Sequence, residues 1–272
     1  MPMIETMEKS GHWLFRWRSY LPLVIVALVP AALKHYTYPF GSHRYDQRWE
    51  LVCLGISLLG FAIRVLTAGY TPRRTSGRNA RKQVADSLNT EGIYSVVRNP
   101  LYLGNFIVAL GPALVLHIWW VPVIYILVFM LYYERIVFAE EVFLRNKFGQ
   151  QFMDWASRTP VFLPRLTQWR SPGRRFNVRQ VLRREHQTLF GIVVVFFLIE
   201  MAAEWRLGNP VLGDTMWNVL AGAALVFFLV IRLLRKCTTV LKDKEPEHPR
   251  RVSDDTAHDR AEPAAPPEGE RP

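Results

Sequence analysis

Long apolar blocks, rather than short amphipathic periods, dominate the pattern of hydrophobic and polar positions along this chain. Five blocks are almost free of charged residues; they span residues 20–33 (continuing past Lys34 towards Phe40), 51–70, 101–133, 187–203 and 216–231. A membrane-spanning helix needs about 20 such residues. The first two blocks have that length, and the last two reach it with their flanks. The pattern therefore predicts an integral membrane protein.

The middle block, 101–133, holds no charged residue and is too long for one crossing. As a single helix it would extend roughly 50 Å, well beyond a hydrocarbon core of about 30 Å. It must fold back on itself, and turn residues and interfacial aromatics lie at its midpoint. These are Pro112, His117, Trp119, Trp120 and Pro122. The predicted fold class is therefore an all-α polytopic membrane protein with about six transmembrane helices.

Composition divides the chain into four predicted parts. Residues 1–70 form an N-terminal two-helix membrane segment, whose first span is retained rather than cleaved as a signal peptide. Residues 71–165 form a core with a basic loop, a helical hairpin and a cytoplasmic helix. A basic linker and a C-terminal two-helix membrane segment occupy 166–241. The tail 242–272 is rich in Pro, Glu, Arg and Asp and is predicted to be disordered.

The charge distribution predicts the orientation. A net charge of +11 and a pI near 9.9 suit either nucleic acid or an anionic membrane face. The apolar blocks decide for the membrane and against nucleic acid. Basic residues concentrate after the second predicted helix, before the fifth and after the sixth, which places both termini in the cytoplasm of a bacterial inner membrane or an equivalent membrane. The two cysteines, Cys53 and Cys237, imply neither a disulfide nor a metal framework.

The segment 92–104, GIYSVVRNPLYLG, places polar residues at the predicted start of the third helix. Pro100 fits a first helical turn, where its missing N–H costs nothing. Asn99 before it is a predicted N-cap whose side chain accepts from the first free amides. Gly104 would let backbone or a ligand approach closely. A membrane anchor is the alternative, in which Arg98 snorkels to phosphates and two tyrosines join the interfacial belt.

Carboxylates follow on the predicted helix beyond Tyr133. Glu141 shares an apolar stripe with Val137 and Leu144, a stripe that continues through Phe148, Phe152 and Trp155. Glu140 lies about a quarter-turn away. A carboxylate on the apolar face of a helix at the membrane surface needs a cationic partner. Arg98 and a cationic ligand are both candidates, and a purely structural salt bridge is the alternative to a functional site.

These features occur in an order that resembles the isoprenylcysteine carboxyl methyltransferase family. More broadly, the chain is similar to membrane methyltransferases that include the bacterial phospholipid N-methyltransferases. The resemblance covers about residues 88–165. Its elements are Gly92-x-Tyr94-x-x-x-Arg98-x-Pro100-x-Tyr102-x-Gly104, then Glu140-Glu141, Phe148-Gly149, Thr159-Pro160 and Leu163-Pro164.

The resemblance implies an enzyme that uses S-adenosylmethionine in a pocket at the cytoplasmic helix ends. It implies catalytic roles for Glu141 and Arg98. The implied cofactor-binding residues are Tyr94, Arg98, Asn99, Pro100, Tyr102, Gly104, Glu140 and Glu141. The family has histidine where this chain has Asn99, and asparagine cannot carry a proton at neutral pH. A hydrogen-bonding role is compatible with asparagine, and an acid–base role is not.

The implied partner is a membrane lipid or a lipidated substrate. Arg64, Arg73 and Arg74 are candidates for binding its headgroup, and they favour an anionic acceptor such as a phosphate of lipid A or of a phospholipid, or a carboxylate. An amine acceptor of the phosphatidylethanolamine type would need a base, for which Glu141 is the candidate. The residues also leave open an NADPH-dependent sterol-type membrane reductase, which shares a similar motif, and a non-catalytic membrane scaffold.

Overall fold

Helices make up most of the part of the chain that the computed structural model describes, which is residues 3–17, 22–72, 75 and 85–238. No strand forms among these residues, although Gly92 and Arg170 meet in an isolated antiparallel β-bridge. The predicted tail 242–272 lies outside the described residues, and the division into four parts stays a prediction. The α-helices of the described part are α1 (Met3–Trp17), α2 (Pro22–Leu33), α3 (His43–Tyr70), α4 (Pro100–Val115), α5 (Trp120–Phe148), α6 (Gln150–Ala156), α7 (Val178–Leu207) and α8 (Thr215–Cys237).

Each apolar block is helical over most of its described residues, which confirms the all-α polytopic class. Four helices, α3, α5, α7 and α8, are long and apolar enough to cross a membrane. The other two of the predicted six are shorter within the described residues. The 16 residues of α4 extend about 24 Å and the 12 residues of α2 about 18 Å. Neither reaches the thickness of a typical hydrocarbon core by itself.

The middle block folds back on itself, as its length predicts. Helix α4 ends at Val115 and α5 begins at Trp120. Between them His117 adopts a φ of 57°, in the left-handed region that few side chains tolerate. Tyr125 then donates its hydroxyl to the Phe106 carbonyl at 2.8 Å, which ties the two arms of the hairpin together.

Helices α3 and α4 pack with their backbones almost in contact. A Cβ built on Gly60 would lie 2.5 Å from the backbone nitrogen of Val108, and one built on Gly111 would lie 2.1 Å from Ser57 Oγ and 2.5 Å from the Cys53 carbonyl oxygen. Small residues permit such approach between membrane helices, where van der Waals packing takes the place of the hydrophobic effect. This close contact fixes α4, and with it the polar motif that begins α4.

Replacing Gly111 by alanine is expected to destabilise the protein. The new methyl group would overlap a backbone carbonyl, and overpacking of this kind costs typically about 1–3 kcal/mol. Gly55→Ala is the matched control, because a Cβ at Gly55 on α3 meets nothing within 4 Å. Thermal unfolding of the two variants in the same detergent tests this. Equal midpoints for Gly111→Ala and Gly55→Ala would contradict the close packing.

The N-terminal residues form a helix that the sequence pattern does not predict. Helix α1 packs along α5, where a Cβ on Gly11 would lie 2.3 Å from the Arg135 carbonyl oxygen. Tyr132 donates its hydroxyl to the Leu14 carbonyl at 2.8 Å. Charged residues interrupt the apolar positions of α1, so only its contact with α5 reveals its place in the bundle.

The two ends of the helix bundle differ in their chemistry. At one end, which we call the motif end, Gln180 of α7 donates to the carbonyls of Ala68 and Thr71 at 2.6 and 2.7 Å. These bonds join the end of α3 to the start of α7. At the other, which we call the acidic end, Trp217 of α8 donates its Nε1 to Glu50 of α3 at 2.8 Å. The start of α4 and the end of α5 belong to the motif end.

Candidate active site

The polar motif 92–104 crosses the motif end before it enters α4. Gly92 has a φ of 58°, and its N–H donates to the Arg170 carbonyl at 3.0 Å. This left-handed conformation is readily open to glycine. A 3₁₀ turn, Ile93–Ser95, follows, and α4 begins at Pro100 as the sequence predicts. The backbone from Val96 to Asn99 is therefore held between the 3₁₀ turn and the start of α4.

Arg98 is the centre of the candidate site. Its Nη1 donates to Glu141 Oε1 at 2.7 Å, and its Nε donates to the Thr159 carbonyl at 2.8 Å. Its backbone N–H donates to the Pro160 carbonyl, also at 2.8 Å. The side chains of Arg98 and Glu141 are 17% and 28% exposed, so the pair is open to a small molecule. Of the two partners that the sequence allows for Glu141, the structure provides Arg98.

A second polar pair lies beside the first. Tyr102 of α4 donates its hydroxyl to Glu140 Oε1 at 2.6 Å. The Tyr102 ring contacts the Tyr133 ring at a centroid distance of 4.6 Å, and Asn105 donates to the Tyr133 hydroxyl at 3.4 Å. The neighbouring carboxylates of Glu141 and Glu140 on α5 are thus bound by Arg98, just before α4, and by Tyr102, in the first turn of α4. Arg98, Glu141, Tyr102 and Glu140 together are called the paired-charge site.

The predicted side-chain cap at Asn99 is wrong. Asn99 occupies the N-cap position, but its side chain accepts no hydrogen bond from α4. Its Nδ2 donates instead to the Val161 carbonyl at 3.3 Å, because the neighbouring segment presents carbonyls to the motif. Tyr94 contributes its carbonyl, which accepts from Trp155 Nε1 at 3.1 Å. Both residues therefore attach the motif to the chain that follows α5.

The predicted stripe on a single helix is interrupted. Helix α5 ends at Phe148, and Gly149, with a φ of 53°, turns the chain into the short helix α6. Phe152 is buried on α6 beside Trp155, with ring centroids 5.8 Å apart. The two aromatics thus share a face of α6 rather than continuing the face that carries Glu141. The stripe pattern is wrong beyond Phe148 because glycine at a positive φ breaks the helical period.

Gly104 lies away from the paired-charge site. Its Cα faces α3, where an added Cβ would lie 2.6 Å from Arg64 Cγ and 3.0 Å from the Gly60 carbonyl oxygen. The close approach that the sequence predicts for this glycine exists, and α3 is the partner that approaches. The geometry gives Gly104 a packing role and gives no support to the predicted cofactor contact.

Arg64 points into the bundle and is fully engaged there. Its Nη2 lies 2.8 Å from Glu185 Oε2 on α7 and donates to Thr188 at 3.3 Å, while its Nη1 donates to Asn105. Three helices meet at this guanidinium, and each of its three nitrogens has a protein acceptor, so its role as a headgroup ligand stays a prediction. The other predicted headgroup residues, Arg73 and Arg74, lie outside the described residues.

Two partners in these networks escape sequence reasoning. Glu185 has no recognisable motif, although a buried carboxylate at the start of an apolar block is a signal for a cationic partner. Thr159 belongs to the quoted Thr159-Pro160 pair, but a side-chain pattern does not indicate that its backbone carbonyl holds Arg98. Contacts made by backbone atoms cannot be predicted from the types of the residues that make them.

The paired-charge site fits the cofactor that the resemblance implies. S-adenosylmethionine combines a carboxylate, an ammonium group and a sulfonium. Among the described residues Arg98 Nη2 has no hydrogen-bond partner, so it can donate to a carboxylate. Glu140 and Glu141 supply acceptors for cationic groups in the same place. One cation beside two carboxylates therefore matches the charges of that molecule.

The fold and the paired-charge site together indicate a class of protein. Helices of membrane-spanning length hold charged side chains at one end of the bundle, where a helical hairpin presents them as hydrogen-bonded pairs. Intramembrane and interfacial charges of this kind indicate function. The described helices are those of a polytopic membrane protein, and the charged pairs at one end are a candidate site for a small molecule.

Comparison with known proteins identifies the family. The model of the family described as phospholipid methyltransferase matches residues 51–151, which include α4 and α5. The cobalt-zinc-cadmium resistance protein CzcN of Cupriavidus metallidurans is 31% identical over 162 residues, covering 59% of this chain and 68% of that protein. The nickel-cobalt-cadmium resistance protein NccN of Alcaligenes xylosoxydans xylosoxydans is 29% identical over 163 residues, covering 60% and 69%.

A third relative is named for methyl transfer. The protein-S-isoprenylcysteine O-methyltransferase of Schizosaccharomyces pombe is 29% identical over 117 residues, covering 43% of this chain and 50% of that protein. No solved structure gives a significant match. The chain belongs to the phospholipid and isoprenylcysteine methyltransferase family, as its motif predicts. It is a membrane methyltransferase.

Proposed function

We propose that this protein transfers a methyl group from S-adenosylmethionine to a lipid-borne acceptor at the motif end. The observation that carries the proposal is the pairing of Arg98 with Glu141 at 2.7 Å, next to the pairing of Tyr102 with Glu140. This arrangement offers both a cation and carboxylates to one ligand. By the positive-inside rule the motif end faces the cytoplasm, where the cofactor is made.

The residues of the paired-charge site are suited to holding and orienting. When bound, S-adenosylmethionine supplies an electrophilic methyl group on a sulfonium. Arg98 would bind its carboxylate, and Glu140 and Glu141 would accept hydrogen bonds from its cationic and hydroxyl groups. Holding reactants in near-attack geometry can supply about 7–11 kcal/mol of the barrier reduction. The chain therefore needs no elaborate catalytic machinery.

A segment beside the site is suited to contact with the membrane surface. Leu163, Leu166 and Trp169 are exposed, and Arg165 and Arg170 between and beside them are exposed as well. Apolar side chains among basic ones favour the interface of an anionic membrane. The N–H of Arg165 donates to the carbonyl of Val96, two residues before Arg98, at 2.9 Å. The segment would bring a lipid headgroup next to the paired-charge site.

The geometry favours an acceptor that is already ionised. A phosphate or carboxylate is nucleophilic at neutral pH without a base. An amine must first lose a proton, and Glu141 is the candidate base, yet Arg98 already occupies one of its oxygens. Proton removal by Glu141 would have to break that ion pair. We therefore place an anionic lipid group ahead of the amine of phosphatidylethanolamine.

Methyl transfer by the full-length purified protein tests the proposal. Labelled S-adenosylmethionine is supplied with vesicles of phosphatidylglycerol, with vesicles of phosphatidylethanolamine, or with a farnesylated cysteine whose amino group is acetylated. Glu141→Gln is expected to lower the rate at least about 100-fold, since it removes the negative charge that pairs with Arg98 and so misplaces the ligand. Glu134→Gln, an exposed glutamate on the same helix, is the control and should keep the wild-type rate.

The outcomes separate the acceptors and the rival functions. Label in phosphatidylglycerol or in the farnesylated cysteine supports an anionic acceptor. Label in phosphatidylethanolamine alone shows amine methylation and removes the anionic acceptor. No binding of S-adenosylmethionine by the wild-type protein, with binding of labelled NADPH, would favour the sterol-type reductase. If the wild-type protein binds neither S-adenosylmethionine nor NADPH, the non-catalytic membrane scaffold is the function that remains.

A further inference from the structure

A second polar cluster lies at the acidic end, far along the helices from the paired-charge site. Five carboxylates from two helices and a helix cap are buried there. They are Asp46, Glu50, Glu200, Glu204 and Asp214. Burying carboxylates costs free energy unless protons or cations compensate their charge. Among the described residues the histidines within 4 Å of them are His43 and His117, so most of the carboxylate charge must be balanced by protons or by cations.

Helical spacing brings these side chains onto two facing surfaces. His43, Asp46 and Glu50 are three and four residues apart on α3, so they lie on one face of that helix. Glu200 and Glu204 are four residues apart on α7 and also share a face. The ligand atoms of His43, Glu200 and Glu204 all lie within 4.8 Å of one another, and so do those of Asp46, Glu50 and Glu200.

Some of these carboxylates have protein donors. Asp46 accepts from the Tyr36 hydroxyl at 2.5 Å and lies 3.2 Å from His117 Nε2. Burial, together with this hydrogen bond, raises the pKa of Tyr36, so the phenol keeps its proton and remains a donor. Glu50 accepts from Trp217, and Glu204 accepts from the Tyr38 hydroxyl. These bonds hold Asp46, Glu50 and Glu204 in place at the acidic end.

Two buried oxygens are left without a donor. Glu200 is 4% exposed, and its Oε1 has no hydrogen-bond partner in the described part of the chain. The same holds for Oδ2 of Asp214, whose other oxygen caps the start of α8 by accepting from Met216 at 2.7 Å. Unsatisfied buried carboxylate oxygens are rare in folded proteins and require an explanation.

The distances around His43 suggest that explanation. His43 Nε2 lies 3.7 Å from Asp214 Oδ2 and 4.0 Å from Glu204 Oε1. Both distances are too long for hydrogen bonds. Two ligands of one zinc ion, each about 2.1 Å from it, lie roughly 3.4 Å apart. The side chain of His43 is 46% exposed, which leaves the group open on one side.

We propose that the acidic end binds one divalent transition-metal ion through His43, Glu200 and Glu204. Asp214, close to His43, would be a further ligand. Asp46 and Glu50 lie close to Glu200 and would add negative charge near the ion. An imidazole among carboxylates selects zinc or cobalt over magnesium and calcium, which prefer oxygen ligands alone. The ion would neutralise the cluster and join α3 to α7. By the positive-inside orientation, this site opens on the side opposite the cytoplasm.

Metal binding by the full-length, chelator-stripped protein in detergent tests the site. Equilibrium dialysis against zinc is expected to give one ion per chain, and cobalt is expected to produce a visible absorption band. Glu200→Gln should lower zinc affinity at least tenfold and remove the band. Because His43 is half exposed, His43→Ala should leave the fold intact, weaken zinc binding and alter the cobalt spectrum. Glu134→Gln is again the control.

The outcomes decide the site independently of methyl transfer. No zinc or cobalt bound by the wild-type protein at millimolar concentration would overturn the proposal and leave a cluster of protonated acids. Calcium or magnesium binding alone, or unchanged zinc affinity in both Glu200→Gln and His43→Ala, would overturn it too. Binding of S-adenosylmethionine is measured on the same wild-type sample. If the protein binds S-adenosylmethionine but not zinc, only the metal site is ruled out. If it binds zinc but not S-adenosylmethionine, only the proposed methyl transfer is ruled out.

Discussion

Replacement of Arg98 by alanine is expected to lower methyl transfer about 1,000-fold, the upper range for loss of a preorganised charged donor. Within the described part of the chain, Arg98 bonds both α5 and the segment after α6. Its removal leaves Glu141 without its described cationic partner and the Thr159 carbonyl without its donor. Initial rates at saturating and at limiting S-adenosylmethionine would separate weaker binding from slower transfer.

Two companion variants define what Arg98 supplies. Arg98→Lys keeps the positive charge but loses the planar fork that reaches two acceptors at once, so it should recover only part of the rate. Arg145→Ala removes an exposed arginine of the same α5 and should leave the rate unchanged. An Arg98→Ala protein that binds the cofactor and transfers methyl groups normally would assign the site to another part of the motif end.

The sequence predicts the bundle well because the bilayer constrains it strongly. A chain in hydrocarbon must satisfy its backbone polar groups internally, so an apolar block of sufficient length becomes a helix. The block 101–133 is an example, because its length alone predicts a turn within it, and the structure places that turn at His117. Helix α1 escapes the same reasoning, since its place depends on contacts with α5 rather than on hydropathy.

The candidate site is predictable only in part, for a different reason. Glu141 on an apolar stripe requires a cation, and physical chemistry narrows the choice to Arg98 or a ligand. The 43 residues that separate the two in sequence give no geometry. Asn99 shows the limit, because its residue type indicates a helix cap while the nearby Val161 carbonyl captures its side chain. Tertiary contacts override local propensity at such positions.

The acidic end marks a second limit of sequence reasoning. Glu200 and Glu204 near the end of an apolar block predict interfacial side chains when that helix is considered alone. In the bundle they are buried in the same cluster as Glu50 of α3 and Asp214 at the start of α8. A cluster assembled from two helices and the cap of a third has no linear spacing that could reveal it. A charged residue in an apolar block predicts that the residue has a partner, but the sequence does not show which residue or ligand that partner is.

Removal of Glu185 is expected to have the largest effect on stability. Arg64 and Glu185 are 13% and 4% exposed at the side chain, and they join α3 to α7 at 2.8 Å. Glu185→Ala would leave a buried guanidinium without its counter-charge, which costs about 3–5 kcal/mol in a buried pair. Thermal unfolding followed by tryptophan fluorescence in one detergent should therefore show a clear fall in the midpoint temperature.

A paired substitution distinguishes the cost of an unpaired charge from the cost of lost packing. Arg64→Met combined with Glu185→Leu removes both charges and keeps apolar volume between α3 and α7. Replacing a whole buried ion pair by packed hydrophobic residues is often neutral or stabilising. The double variant should thus unfold at a higher temperature than Glu185→Ala. If it unfolds at the same temperature or lower, the Arg64 network stabilises the bundle through Asn105 and Thr188 rather than through the ion pair.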